Sequence, residues 1–180
     1  MHCKRFPGFQ RGLTLIEICV VLAIVSILIG TTVPSFKDVK QRATLNGIAT
    51  DLATDLHFAR SEAVARQEGV RFTVAPVAGG SCVLVHTGAN GDCDCITGGA
   101  AQCSNGAILI KNVFYPSASG IAVAANVAAI RFDPRTGMAT PAGSVTISTG
   151  SGKALRHVVN MMGRVRTCAV GAVTTPERPC

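Results

Sequence analysis

Five cations near the C-terminus are the side chains whose type and spacing best suit binding chemistry. They are Lys153, Arg156, Arg164, Arg166 and Arg178. Arg164 and Arg166 are two residues apart, so on an extended segment both side chains point to the same face. Lys153 and Arg156 precede them and could extend that face. Arginine binds phosphate through parallel N–H groups, and such a cluster attracts the DNA backbone by counterion release without base recognition, although arginines on a strand are commonly only a solvated surface.

The charge of the chain is unevenly placed. The formal net charge is +7 over 180 residues. From Arg131 onward seven basic side chains stand against only two acidic ones, Asp133 and Glu177. Outside the N-terminal leader, the positive charge is therefore a property of the C-terminal region.

Catalysis has little support in the sequence, and we predict that the protein is not an enzyme. Neither a nucleophile elbow nor a Gly-rich phosphate loop nor a metal-protease helix motif occurs. The histidines are isolated from such motifs: they are His2, His57, His86 and His157. No catalytic residue, cofactor or metal is predicted.

Six of the eight cysteines lie well beyond the N-terminal region, in a Gly-rich setting. They are Cys82, Cys93, Cys95, Cys103, Cys168 and Cys180. An even number of this kind is typical of disulfides in an oxidising compartment. We expect Cys168 to pair with Cys180 and close a C-terminal loop. The other four cysteines allow three connectivities, among which the sequence does not choose.

Two metal sites are weaker alternatives in the same region. Zinc would use Cys93, Cys95 and Cys103, but their spacing departs from paired zinc knuckles. Calcium would use the alternating Asn90, Asp92 and Asp94, but an EF-hand loop needs more oxygen ligands and a distal Glu. The Gly88–Gly106 segment is therefore predicted to be a solvated loop that disulfides hold in place.

The N-terminal region contains 21 residues, Leu13–Val33, with Glu17 as the one charged residue among them. A helix of about 20 apolar residues spans a hydrocarbon core of roughly 30 Å, and a basic leader stays on the cytoplasmic side. We therefore predict a single-pass membrane segment with the rest of the chain beyond it. A carboxylate in such a helix costs on the order of 2.5–3.5 kcal/mol, so Glu17 should have a partner.

The remaining sequence predicts one long helix followed by β-structure. Apolar residues recur at helical spacing up to a predicted end before Gly69, a residue suited to the left-handed position after a helix. They are Leu45, Ile48, Ala49, Leu52, Leu56, Ala59 and Ala63. The charged residues are expected on other faces: Asp51, Asp55, Arg60, Glu62 and Arg66. Short apolar runs between turn residues then predict strands at Val70–Ala75, Cys82–Thr87, Ala107–Val113, Ala128–Phe132, Val145–Ser148 and Leu155–Asn160.

The stretch Gly12-Leu13-Thr14-Leu15-Ile16-Glu17 and its apolar continuation resemble the class III signal of type IV pilins and pseudopilins. The resemblance implies that a prepilin peptidase cuts between Gly12 and Leu13 and methylates the new N-terminus. It also implies that Glu17 pairs with the N-terminal amine of a neighbouring subunit in a filament. Many members have Phe where this chain has Leu13, another apolar residue.

Three further segments are similar to the GspH/FimT family of minor pilins and pseudopilins. Ala59–Val64 resembles the end of that family's long helix, and Phe132–Gly137 resembles its Phe-x-Pro-x-Gly turn. Asn160–Arg166, followed by Cys168 and Cys180, looks like the Gly-Arg-x-Arg motif of FimT-type minor pilins, which help type IV pili capture DNA in natural transformation. This resemblance implies an α+β fold, with a long N-terminal helix packed on antiparallel β-sheets.

The same resemblance implies that Arg164 and Arg166 are the main contacts to double-stranded DNA. Lys153, Arg156 and Arg178 join them on grounds of charge alone. Other implied partners are pilin subunits, the prepilin peptidase and the inner membrane.

The expected organisation has four parts. They are a leader at 1–12, a transmembrane and filament-core helix at 13–33, an amphipathic helix at 34–68, and a periplasmic β-rich domain with a basic tail at 69–180. The assembled protein would lie in a surface pilus. Two other functions stay open: a structural pseudopilin of a type II secretion filament or pilus-assembly initiator without DNA binding, and an adhesive pilin that binds acidic surface polymers.

Overall fold

A computed structural model describes residues 12, 14–171 and 178–180, with no side-chain description at 30–35, 37 and 38. The predicted leader up to residue 11 and the proposed new N-terminus, Leu13, lie outside the described residues. The chain divides into two compact units, Met1–Lys40 and Gln41–Cys180.

Helix α1 runs from Leu15 to Arg66. At its start the Glu17 backbone N–H donates to the Thr14 hydroxyl at 3.3 Å and to the Thr14 carbonyl at 3.1 Å. Thr14 is therefore the N-cap, and Glu17 stands at the third helical position, where a capping box places an acid. A carboxylate in the first turn is also favoured by the helix dipole.

The end of α1 differs from the expected one. Gln67, with φ of 55°, is the left-handed residue after the helix, and the Glu68 N–H bonds the Ala63 carbonyl at 3.3 Å. This is the hydrogen bond that closes a Schellman motif. Gly69 has another role: a Cβ there would come 2.6 Å from the Arg131 guanidinium, so the missing side chain makes room for Arg131.

Within the first unit, the described side chains of α1 between Leu15 and Ile29 are exposed and mostly apolar. In the part of the chain that the structure describes, no helix combines the length and apolar character needed to cross a membrane.

The second unit contains three antiparallel sheets. Its strands are β1 (Val70–Val77), β2 (Gly80–His86), β3 (Cys93–Cys95), β4 (Ala101–Cys103), β5 (Leu109–Pro116), β6 (Ile121–Ala125), β7 (Ala129–Phe132), β8 (Ala139–Thr140), β9 (Gly143–Thr149), β10 (Ala154–Val159) and β11 (Val165–Val170). The first sheet has the order β5-β2-β1-β7-β8, the second sheet β11-β10-β9-β6, and β3 pairs with β4. A short 3-10 helix, Ser117–Ser119, connects β5 to β6.

One apolar core joins the C-terminal part of α1 to both larger sheets. The helix contributes a buried face with the spacing that the sequence predicted: Leu45, Ala49, Leu52, Leu56, Ala59 and Ala63. The first sheet adds Phe72 and Phe132, and the second adds Ile147 and Leu155. The predicted α+β class, a long helix packed on antiparallel sheets, is confirmed.

The six predicted strands correspond to β1, β2, β5, β7, β9 and β10, with ends that differ by up to three residues. Strands β6 and β11 are additional, as are the short β8 and the β3–β4 hairpin. Strand β11 lies in the region expected to be a tail. Its inward Thr167 and outward Val170 interrupt the apolar alternation, so its pairing with β10 defines it more than its own pattern does.

Disulfides hold the β3–β4 hairpin to the first sheet. Cys93 is bonded to Cys103, directly opposite it in the hairpin, and Cys95 is bonded to Cys82 of β2. These sulfurs are consequently not thiolate ligands, so the zinc alternative is wrong. The segment Gly88–Gly106, expected to be a loop, contains this small hairpin with irregular chain on either side of it.

The alternating polar residues in that loop stabilise a turn. Asp92 accepts the Ala89 backbone N–H at 2.5 Å and the Asn105 side-chain amide at 2.8 Å. The bond from Asn105, followed by the one from Ala89, holds the pKa of the Asp92 carboxyl below its usual value. The carboxylate oxygens of Asp92 thus accept hydrogen bonds from the loop itself, as expected for a turn.

Two polar contacts attach the helix to the sheets. Asp55, expected on a face other than the apolar one, is buried and forms an ion pair with Lys111 of β5. Burial, with Asp55 and then Asp51 nearby, raises the pKa of Tyr115 to about 12. On the other side, the buried His157 of β10 donates from Nε2 to the Ala49 carbonyl at 2.8 Å.

The Asp55–Lys111 pair gives a stability prediction. Lys111→Met leaves a carboxylate whose side chain is only 4 % exposed without its partner. Because an unsatisfied buried acceptor costs about 1–3 kcal/mol, the free energy of unfolding should fall by that amount in urea titrations with intact disulfides.

Arg66→Met is the matched control. Arg66 has the same 42 % exposed side chain as Lys111, but its partner Glu62 is 24 % exposed. An exposed helical pair of this kind contributes about 0.3–0.5 kcal/mol. Equal losses in the two variants would show that burial of Asp55 has no energetic weight.

Candidate nucleic-acid interface

The β10–β11 hairpin determines which way the predicted binding residues point. Val158 pairs with Arg166 and Arg156 with Cys168 in the antiparallel register, and directly paired residues share a face. The intervening residues His157, Val159 and Ala169 are buried against the core. Arg156 and Arg166 therefore lie together on the outer face of the second sheet.

The turn of this hairpin is held by hydrogen bonds centred on Asn160. Its carbonyl accepts the Gly163 N–H at 2.8 Å, its side-chain oxygen accepts the Arg164 N–H at 2.9 Å, and its own N–H bonds the Arg164 carbonyl at 3.1 Å. Gly163 has φ of 72°, the left-handed conformation that ends many three-residue hairpin loops. The Gly-Arg step of the motif is thus a fixed turn.

The β7–β8 turn and the helix support this hairpin turn from beneath. A Cβ on Gly163 would overlap the Gly137 carbonyl oxygen, and that oxygen accepts Arg60 Nε at 3.0 Å. The Ala139 N–H also donates to the Met161 carbonyl at 2.9 Å. The position of Arg164 is consequently tied to two other elements of the second unit.

The structure brings four of the five predicted cations to this hairpin. Arg164 and Arg166 are exposed, and Val165 between them packs against the core. Arg156 is half-buried and donates from Nε to Thr146 of β9 at 3.1 Å. It stands diagonally across from Arg166, a placement that separates Cα atoms by about 7–8 Å.

Arg178 joins the group from the end of the chain. Its carbonyl accepts the Ala169 N–H at 2.9 Å, and the Cys180 N–H bonds the Ala169 carbonyl at 3.0 Å. Cys168 and Cys180 form the expected disulfide. The exposed Arg178 is thus held against the edge of β11.

Lys153 stands apart from the other four. It lies in the β9–β10 turn, where its carbonyl accepts the Thr149 N–H at 2.8 Å. The opposite end of β10 leads into the turn with Asn160 and Arg164. The seven residue steps from Lys153 to Asn160 span about 23 Å when extended. The structure therefore does not place Lys153 with Arg164.

The outer face of the second sheet carries one sign of charge. Besides Arg156 and Arg166, its outward positions hold only small or uncharged residues: Ala122, Ala124, Ser144, Thr146, Ser148, Ala154, Val158, Cys168 and Val170. In the sequence no acidic residue occurs between Asp133 and Glu177. Asp133 itself accepts three hydrogen bonds, from the Thr136 and Arg135 backbone and the Thr136 hydroxyl, which hold its pKa below the usual value.

Sequence reasoning missed two cations beside this site. Arg135 is exposed in the β7–β8 turn, and Arg60 reaches that turn from α1. Arg60, with His57, Val64 and Thr136, lines a groove of about 520 Å³ next to the turn. The Phe-x-Pro-x-Gly likeness marked Arg135 as part of a turn, but only the fold brings that turn to the arginine motif.

Comparisons with known proteins agree with this fold. The family described as Type II transport protein GspH matches residues 49–163, more than half of the chain. The pilin-like protein PilA1 of Thermus thermophilus is 30 % identical over 158 residues, which cover 87 % of this chain and 97 % of that protein.

Two crystal structures of the type IV minor pilin FimU from Pseudomonas aeruginosa are similar in fold. Each has a TM-score of 0.50, with 16 % and 18 % sequence identity. They cover 68 % and 70 % of this chain and 91 % and 89 % of the FimU chains. Together with its long helix and antiparallel sheets, these matches show that the chain belongs to the GspH family of type IV pilin-like proteins.

Proposed function

We propose that this pilin-like protein is a minor pilin of a type IV pilus that binds double-stranded DNA and supports DNA uptake in natural transformation. The observation that carries the proposal is the acid-free outer face of the second sheet, with Arg156, Arg166 and Arg164 on one side of a fixed hairpin. Pilin family membership accounts for assembly with other pilin subunits, and the arginine face would add the DNA contact.

The contact would be made to phosphates. One guanidinium group can donate two parallel N–H bonds to the oxygens of one phosphate. Phosphate contacts position a protein on DNA without reading its sequence. Arg164 and Arg166 are the central contacts, with Arg156 and Arg178 beside them. Because Arg135 lies in the supporting turn, we add it to the set.

The N-terminal region would deliver this face to the cell surface. The exposed apolar side chains of α1 from Leu15 to Ile29 support burial in the inner membrane before assembly and among neighbouring helices afterwards. In this proposal the domain from residue 69 on is periplasmic. Glu17 pairs with the methylated N-terminus of a neighbouring subunit after the prepilin peptidase cuts between Gly12 and Leu13.

A structural role without DNA binding is the second candidate, either in a type II secretion pseudopilus or in starting pilus assembly. One observation favours it: the matched family segment ends at Gly163, one residue before the arginines. Membership of the family is therefore independent of Arg164 and Arg166.

The first prediction from the proposed function concerns Arg164 and Arg166. It uses the full chain, solubilised in non-ionic detergent. Arg164→Ala with Arg166→Ala should weaken binding to a DNA duplex and reduce the slope of log K against log salt by about 1.8, because each lost phosphate contact removes about 0.9. Electrophoretic mobility shifts at several salt concentrations measure both effects.

Lys153→Ala is the control for position. It also removes one positive charge, but from the β9–β10 turn at the far end of β10. We expect duplex binding within about twofold of the parent, against the larger loss in Arg164→Ala alone. If the double arginine variant binds like the parent, DNA binding at this site is wrong and the structural role gains support.

The second prediction separates turn geometry from charge. Gly163→Ala removes no charge but meets both the positive φ and the Gly137 carbonyl. It should lower the free energy of unfolding by about 1–3 kcal/mol and weaken duplex binding, since strain at such positions displaces the turn.

Gly150→Ala is the matched control, because a Cβ there meets nothing within 4 Å. It should leave unfolding and duplex binding close to those of the parent. A Gly163→Ala protein with parental stability and affinity would show that the turn does not position Arg164.

The third prediction concerns processing. Intact-mass spectrometry of protein from the producing cells' membranes should give a chain that starts at Leu13 and carries one additional methyl group. Gly12→Glu should block the cut and retain the leader. A mature N-terminus beyond Val33 would instead indicate an ordinary secretory signal and exclude assembly through this helix.

A further inference from the structure

The tip of the β10–β11 hairpin exposes two consecutive methionines. Met161 is 60 % and Met162 is 65 % exposed, the largest values among the described large apolar side chains of the second unit. Val158, which is paired with Arg166 on the adjoining strand, is also exposed, at 41 %. Apolar side chains grouped on a surface commonly mark a contact with a partner.

The exposure is fixed by the backbone. The carbonyl of Met161 accepts the Ala139 N–H at 2.9 Å, and Asn160 closes the loop on both sides of the two methionines. Gly163 is also seated against Gly137, where a Cβ would overlap the Gly137 carbonyl oxygen. The backbone that carries the two thioether side chains is therefore already ordered before a partner binds.

The surroundings of the tip restrict what that partner is. Arg164 and Arg166 follow within four residues, and Asp133, the acidic side chain nearest in sequence among the described residues, is engaged in its own turn. A suitable partner carries negative charge on both sides of an apolar surface. Duplex DNA has this arrangement, with phosphates that border grooves lined by stacked bases and thymine methyl groups.

We propose that the Met161–Met162 tip enters the major groove of duplex DNA and contacts thymine methyl groups, while Arg164 and Arg166 bind the bordering phosphates. The inference rests on the proposed DNA binding and deepens it. The turn that joins β10 to β11 is the part that enters, and the major groove, which is about 12 Å wide, offers more room for it than the minor groove of about 6 Å.

This contact gives a modest preference for thymine and no further sequence reading. A thioether is only a weak acceptor, so Met161 and Met162 cannot distinguish the hydrogen-bonding pattern of the bases. The binding stays nearly non-specific and depends mainly on phosphate.

The test compares two duplexes that differ in one methyl group per base, one with thymine and one with uracil in its place. The full chain in non-ionic detergent should bind the uracil duplex about three- to fivefold more weakly for each methyl group contacted. Met161→Ser with Met162→Ser should bind the thymine duplex about as weakly as the parent binds the uracil duplex, and should not distinguish the two.

The salt dependence separates this contact from the arginines. The double serine variant should keep the parental slope of log K against log salt, because it removes no charge. Ile108→Ser is the matched control: Ile108 is 52 % exposed and lies outside the hairpin, so its loss should change neither affinity nor thymine preference. Thermal unfolding of each variant verifies that its fold is retained.

Two outcomes would overturn the inference. In the first, the parent binds thymine and uracil duplexes equally and the serine variant binds like the parent, while the double arginine variant still loses binding; DNA binding then stands without the methionine contact. In the second, the serine variant loses binding to vesicles containing anionic phospholipid but not to DNA, which would assign the tip to a lipid surface. Parental binding by the arginine variant would refute the proposed function itself.

Discussion

The buried face of α1 between Leu45 and Ala63 packs on two sheets at once, and the rest of the second unit depends on this contact. Burial of leucine on this face supplies most of the non-directional stabilisation, while Ala49, Ala59 and Ala63 let the backbones approach closely. Apolar packing alone does not fix how a sheet slides along a helix. The buried contacts Asp55–Lys111 and His157–Ala49 supply that direction, one for each sheet.

The same packing determines where the arginines point. His157 hydrogen-bonds the helix backbone and also contacts the Thr167 hydroxyl at 2.9 Å, so both residues must face inward. Since the side chains of a strand alternate, Arg156 and Arg166 must then face outward. A slip of one residue by β11 along β10 would turn the Arg166 guanidinium toward the core, which the core does not permit. The basic face is thus a consequence of the core rather than a separate element.

The sequence predicted the parts of this arrangement that depend on local pattern. Helical spacing from Leu45 to Ala63 identified the packed face, and apolar runs identified six strands. Features that depend on distant partners were missed: helical spacing placed Asp55 off the apolar face, and its burial was not predicted because its partner Lys111 is 56 residues away. The placement of Lys153 shows the same limit. Sequence distance puts it near Arg156, but Lys153 and Arg164 lie in the turns at opposite ends of strand β10.

The largest change concerns the C-terminal region, expected to be a basic tail and found to be a strand and a turn. A flexible tail with the same arginines would lose conformational entropy on meeting a partner, whereas a fixed hairpin loses little. The fixed form needs glycine at both 137 and 163, because a Cβ at 163 would overlap the Gly137 carbonyl oxygen and a Cβ at 137 would come 2.8 Å from Arg60 Nε. It also needs the Arg60 contact to the Gly137 carbonyl, which spans 77 residues of sequence. Arg60 of the helix and the two glycines therefore hold one turn in place. A turn held in this way is suited to present Arg164 in a single orientation.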